Sequence, residues 1–170
     1  MTTLVLTVVG DDRSGLVAAL ADIVDAHGGN WENSELAELS GAFAGIVEVS
    51  VPAGREDELR AALAGLDGLL SVTAHPGAPA AAASDHRRST VRVLGNDRPG
   101  IVREISSAAA GQGLSIERMT TETRDAAMAG GRLFEATIVA AVPASVDVEA
   151  VRRAIEGLAA DLQVDVALEV

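Results

Sequence analysis

The apolar positions of this chain change period several times, and the sequence of changes occurs twice. "TLVLTVV" (3–9) and "STVRVL" (89–94) are short β-branched runs of strand type. Leu16, Val17, Leu20, Ile23 and Val24 then recur at helical spacing, as do Ile101, Val102, Ile105, Ala108 and Ala109. Gly28 and Gly113 stand where a left-handed cap would end each helix. Two strands are expected next, 30–39 with 42–51 in the first half and 115–124 with 132–142 in the second. A second helix carries Leu59, Ala62, Leu63 and Leu66, or Val148, Val151, Ile155 and Leu158. A last strand closes each half, and in "LQVDVALEV" (162–170) Leu162, Val164, Val166, Leu168 and Val170 alternate with more polar residues.

The halves are copies of one unit. Aligning 10–32 with 95–117 without a gap matches Gly10/Gly95, Asp12/Asp97, Arg13/Arg98, Gly15/Gly100, Val17/Val102, Gly28/Gly113 and Glu32/Glu117. "FAGIVEVSVPA" (43–53) then matches "FEATIVAAVPA" (134–144), and "LRAALAGL" (59–66) matches "VRRAIEGL" (151–158). Extra residues around "DAAMAGG" (125–131) lengthen the second copy. "PGAPAAAASDHRR" (76–88), poor in bulky apolar residues, reads as a linker. The expected organisation is one unit over 1–75, the linker over 76–88 and a second unit over 89–170. Each unit is βαββαβ, which predicts an α+β fold: two ferredoxin-like sandwiches, each an antiparallel sheet with both helices on one face.

Charge and composition narrow the chemistry. The net charge is −12, and no basic stripe is present, which argues against nucleic acid and anionic membrane as direct partners. Trp31, Phe43 and Phe134 are the only aromatic residues, too few for a base-stacking platform. No apolar run approaches the roughly 20 residues that span a bilayer. "MTTLVLTVV" lacks the basic start and cleavage site of a secretory signal, so a cytoplasmic location is expected. The absence of cysteine removes disulfides, thiolate catalysis and Cys-based zinc sites.

The repeated turn, "GDDRSG" (10–15) and "GNDRPG" (95–100), joins a strand to a helix. The first turn of a helix presents unpaired N–H groups, which together with the helix dipole favour a small anion such as a carboxylate. Gly100 allows close backbone approach, Pro99 suits a first helical position, and Asp97 can cap the helix. Asp12 and Asp97 can accept hydrogen bonds from an ammonium, so a zwitterion suits the turn. A tight helix-capping connection with no ligand is the alternative. Neither copy is a G-x-G-x-x-G fingerprint or a phosphate-binding loop, and the chain has no lysine.

An apolar strand, [DN]-R-[SP]-G and two aliphatic residues, a helix, then Gly and "NW" or "SI" entering a strand resembles the ACT domain, the βαββαβ module that senses amino acids. The resemblance covers both copies. Two such domains in tandem are similar to the glycine cleavage system transcriptional repressor group, which acts by contact with other proteins. The resemblance implies a non-catalytic regulatory protein that senses a small, glycine- or serine-like amino acid and touches a regulatory protein partner. It places the ligand loop on Asp12, Arg13, Ser14 and Gly15, and on Asp97, Arg98, Pro99 and Gly100. It adds a polar side chain from the start of the second strand, Asn30 in "GGNW" and Ser115 in "GLSI". The ligand carboxylate is expected at the backbone N–H groups within Ser14–Leu16 or within Pro99–Ile101, where Gly100 and Ile101 supply them, and the ammonium at Asp12 or Asp97 with Asn30 or Ser115. The first copy departs from the pattern at Ser14 and the second at Ser115, so the copies are not equivalent. ACT modules also pair through their sheets, which implies a homodimer, pairing of the repeats, or both.

Competing classes have less behind them. His27, His75 and His86 have no partners at ligand or triad spacing, and His27 falls where it would cap the end of the first helix. Ser14 does not lie in a nucleophile elbow. A formyl-transfer hydrolase domain, which accompanies some ACT domains, is not expected here. A ligand-independent scaffold is the main alternative and a small hydrolase or transferase a weaker one. The acidic surface serves solubility or docks a basic partner. No catalytic residue, cofactor or metal is expected.

Overall fold

A computed structural model describes residues 1–77, 86–126, 131–162 and 164–169. The chain forms two compact units, Met1–Ala81 and Ala82–Val170. The first runs β1 (Thr2–Asp11), α1 (Leu16–Ala26), β2 (Asn30–Leu39), β3 (Ala42–Val51), α2 (Glu56–Ala64) and β4 (Ser71–Pro76). The second repeats this as β5 (His86–Asn96), α3 (Ile101–Gly111), β6 (Ser115–Asp125), β7 (Arg132–Pro143), α4 (Val148–Leu162) and β8 (Val164–Glu169). The antiparallel sheets are ordered β2-β3-β1-β4 and β6-β7-β5-β8.

Alternation along each strand decides which face meets the helices. In the first unit Leu4, Leu6 and Val8 of β1 and Val47, Val49 and Val51 of β3 are buried with Leu16, Leu20 and Val24 of α1 and Leu59 and Leu63 of α2. In the second, Val91, Val93, Phe134, Ala136, Ile138, Ala140 and Val142 pack with Ile101, Ile105, Val151 and Ile155. The opposite face of each sheet is open. Val17 and Val102, part of the helical apolar spacing, are exposed beside the turns rather than buried.

The helix ends follow from glycine. Gly28 and Gly113 have φ of 68° and 73°. Around them the N–H of Gly29 donates to Val24 O (2.9 Å) and that of Gly28 to Asp25 O (2.8 Å), and the N–H groups of Leu114 and Gly113 donate to Ala109 O and Ala110 O (3.0 and 2.9 Å). Both ends are Schellman caps, as the spacing implied. His27 Nδ1 donates to Ile23 O at 2.7 Å and adds a side-chain cap to α1.

Three boundaries differ from the sequence expectation. β5 starts at His86, so Arg87 and Arg88, expected in the linker, pair with Val142 and Ala141. The long facing strand β7 supplies the ladder partners that local composition could not reveal. α4 continues to Leu162, and the closing strand begins at Val164. Most of the expected linker, residues 78–85, lies outside the described residues.

Candidate functional site

Both turns share one geometry. Gly15 (φ 92°, ψ −2°) and Gly100 (φ 90°, ψ −5°) are the N-cap residues of α1 and α3 and sit in the left-handed region. That conformation, rather than close approach, is what requires glycine: a Cβ on Gly15 would meet nothing within 4 Å, and on Gly100 only Glu104 and Arg103 side-chain atoms at 3.5 and 3.7 Å. Pro99 consequently precedes the cap and is not the first helical residue. The first intrahelical bonds run from Ala19 N–H to Gly15 O (2.9 Å) and from Glu104 N–H to Gly100 O (3.0 Å). Leu16, Val17 and Ala18, and Ile101, Val102 and Arg103, therefore start their helices with N–H groups that have no partner within the helix.

Asp12 and Asp97 do not cap these helices, since neither N-terminus has a side-chain cap hydrogen bond. The expectation of an aspartate cap is corrected by backbone geometry, because the cap position falls on the glycine three residues later. Each aspartate is held by its own N–H instead. Asp12 donates to Gly41 O between β2 and β3, and Asp97 donates to Arg132 O at the start of β7, both at 2.8 Å. The Asp12 side chain is left exposed at the mouth of the turn, and the Asp97 carboxylate lies 3.9 Å from the Arg132 guanidinium.

The arginines that follow have diverged. Arg13 donates to Gly68 O (2.5 Å) and Leu69 O (3.3 Å), tying the first turn to the segment before β4. Arg98 instead makes a two-bond pair with Glu104 (2.7 and 3.2 Å), which holds that carboxyl below the usual carboxylate range. Position 19, which aligns with Glu104, is alanine. The first turn thus keeps an N–H at Ser14 and has no carboxylate beneath it, while the second has Pro99 and Glu104.

Asn30 does not join the turn of its own unit. It pairs with Ser50, which pairs with Thr3, whereas Asp11 at the turn pairs with Ala42. Eight residues along β1 separate the two levels, and at about 3.3 Å per residue that is about 26 Å. Ser115, level with Ala141 and Arg88, lies as far from Asp97 at the other end of β5. One unit alone cannot bring the two halves of the expected site together.

At the Asn30 end, a residue absent from the expected site is central. Glu32 is the extra residue of a β-bulge between Trp31 and Asn33. The Ser50 hydroxyl donates to it at 2.5 Å, and Ser50 and Asn30 together hold its carboxyl below its ordinary range. Its counterpart Glu117, in the matching bulge of β6, forms an ion pair with Arg88 at 2.8 Å. The Glu32/Glu117 identity in the repeat alignment was the signal available for this pair. A shallow concavity of about 570 Å³ lies on the open face of the second sheet around Arg92, Thr120, Thr137, Glu135 and Asp165 and contains none of the turn residues. Among the described residues, no group of three or more His, Asp or Glu could hold a metal, and no helix is long and apolar enough to cross a membrane.

Residues 2–75 match the ACT domain family model. No curated protein matches the chain. Among solved structures, an unknown protein from Galdieria sulphuraria superposes with a TM-score of 0.89 at 28% identity, over 99% of this chain and 97% of that one. A candidate glycine cleavage system transcriptional repressor superposes with a TM-score of 0.70 at 19% identity, over 99% of this chain and 96% of that one. Residues 2–75 thus match the ACT domain family, and the second unit repeats the topology, the helix caps and the glycine turn of the first in a second unit of ACT-like fold.

Proposed function

We propose that this is a regulatory protein without catalytic turnover, which binds a small amino acid through its ACT-like repeats and acts by contact with another protein in the cytoplasm. A transcriptional co-regulator of amino-acid metabolism fits this description, and the candidate repressor of the same two-unit fold supports it. The carrying observation is the first turn. A left-handed glycine opens the N-terminus of α1, with an exposed Asp12 beside it. The N–H groups and the helix dipole suit a carboxylate, and Asp12 suits an ammonium.

The ligand is of the glycine or serine class, with its carboxylate on the N–H groups from Ser14 onward. Asn30 completes the site only when it comes from another unit, and a homodimer supplies one. The open face of the first sheet suits such pairing, since it leaves Val9 and Ile46 about half exposed and Leu39 more so. The turn at Asp97–Gly100 is the poorer site, because Pro99 lacks a donor and the second strand of that copy starts with Ser115 where the first has Asn30.

Calorimetric titration with the common amino acids, glycine and L-serine first, tests the binding. Heat and a raised melting temperature at millimolar concentration are expected, and the absence of both for every amino acid refutes the sensor. Pull-down from a cell extract with and without the bound amino acid tests the output. One partner whose recovery changes with the ligand is expected, and recovery that ignores the ligand favours a scaffold.

A further inference from the structure

The two copies keep one carboxylate at the start of their second strands but supply it with different donors. In the first unit the row across β2, β3 and β1 is Asn30–Ser50–Thr3, and Glu32 in the bulge takes a hydrogen bond from the Ser50 hydroxyl and has its ionised form favoured by the Asn30 amide. In the second, the same row is Ser115–Ala141–Arg88, and Glu117 takes its bond from Arg88. Asn30 has become Ser115, Ser50 has become Ala141, and Thr3 has become Arg88. Ala141 can donate nothing, so the second row has exchanged a hydroxyl donor for a guanidinium.

The exchange alters the charge of the cluster. Glu117 is neutralised by a cation belonging to its own unit. Glu32 has only neutral donors among the described residues, which orient the carboxylate and favour its ionised form while leaving its negative charge uncompensated. Glu32 is exposed, as is Asn30, and Ser50 beneath them is buried. An oriented, uncompensated carboxylate with an amide beside it is the complement of a primary ammonium, which has three donors and needs acceptors.

We infer that Glu32, oriented by Ser50, is an ammonium-binding residue of the first unit's amino-acid site, and that Arg88 fills the corresponding place in the second unit. This rests on the amino-acid-binding function proposed above and adds to it the residue that makes the two units unequal. The turn of one protomer's first unit receives the carboxylate. The Glu32 end of its partner's first unit receives the ammonium, together with the Asp12 side chain of that turn.

Titration of the intact chain with the common amino acids, glycine and L-serine first, reads the inference through three variants. Glu32→Gln keeps the size and the amide contacts but removes the charge, and is expected to weaken binding at least tenfold. Thr3→Arg reproduces the second unit's arrangement and is expected to weaken binding as much. Glu117→Gln is expected to leave affinity within twofold of the parent. Melting followed by Trp31 fluorescence checks that the first unit stays folded, and either first-unit variant suffices if the other unfolds it. Unchanged affinity in the folded Glu32→Gln or Thr3→Arg protein overturns the inference while leaving the amino-acid function standing. An equal loss in Glu117→Gln overturns the inequality of the units. A parent protein that binds no amino acid overturns the function and the inference together.

Discussion

Gly15→Ala isolates the backbone cost of the turn on which the binding function depends. With φ at 92° and no atom within 4 Å of the new Cβ, the substitution introduces no clash. What remains is the penalty for an L-residue in the left-handed region, about 1–2 kcal/mol. For a unit of this size each kcal/mol moves the melting temperature by about 4–8 °C, so a drop of about 4–16 °C is expected. Trp31 is the only tryptophan and packs against the core of the first unit, so its fluorescence reports that unit alone. Thermal unfolding of the full chain, read by Trp31 emission, is the assay. Gly100→Ala, at φ 90°, carries the same backbone penalty in the second unit and should lower a transition seen by circular dichroism. A Gly15→Ala protein melting within about 2 °C of the parent would refute the reasoning, because the turn would then relax out of the left-handed conformation at little cost.

Gly45→Ala should act through a clash instead: its Cβ would lie 2.0 Å from the Glu35 carbonyl oxygen, so β2 must shift, and a loss of about 1–3 kcal/mol or more is expected in denaturant unfolding read at Trp31. Ser89→Ala should stabilise the second unit, in circular-dichroism melts, by up to about 1–3 kcal/mol less the small cavity it leaves. The Ser89 hydroxyl is buried with no hydrogen-bond partner among the described residues, where the first unit has Leu4. Asp12→Ala should weaken amino-acid binding about tenfold or more in calorimetry. It should also leave the ligand-free melting point unchanged, because the carboxylate caps nothing. Arg98 lowers the pKa of Glu104, so their pair should stabilise above the ordinary carboxylate range and fade as the pH falls through the lowered value. The stability difference between parent and Glu104→Gln at neutral pH should accordingly vanish in acid, measured by denaturant unfolding across pH.

Local pattern was enough to reveal the duplication, the βαββαβ order and the helix ends. Strand alternation, helical spacing and the Schellman glycines Gly28 and Gly113 depend on neighbours a few residues apart, and the sequence displays those directly. The repeated D-R-x-G turn is legible for the same reason, although the left-handed glycines displace its aspartates from the cap position that their residue type suggests. Tertiary structure alone decided what the shared residues do. Arg13 and Arg98 occupy the same place in the repeat, yet one reaches carbonyls 55 and 56 residues away and the other a glutamate in the helix that follows its turn. Asn30 and Asp12 are 18 positions apart in sequence but at opposite ends of one sheet, because α1 carries the chain back along the full length of β1 before β2 begins. Glu32 gained its meaning from Ser50 on the facing strand, and Glu117 gained the opposite one from Arg88. Those partnerships are set by strand register, which brings together residues far apart in the chain and leaves no mark within either segment.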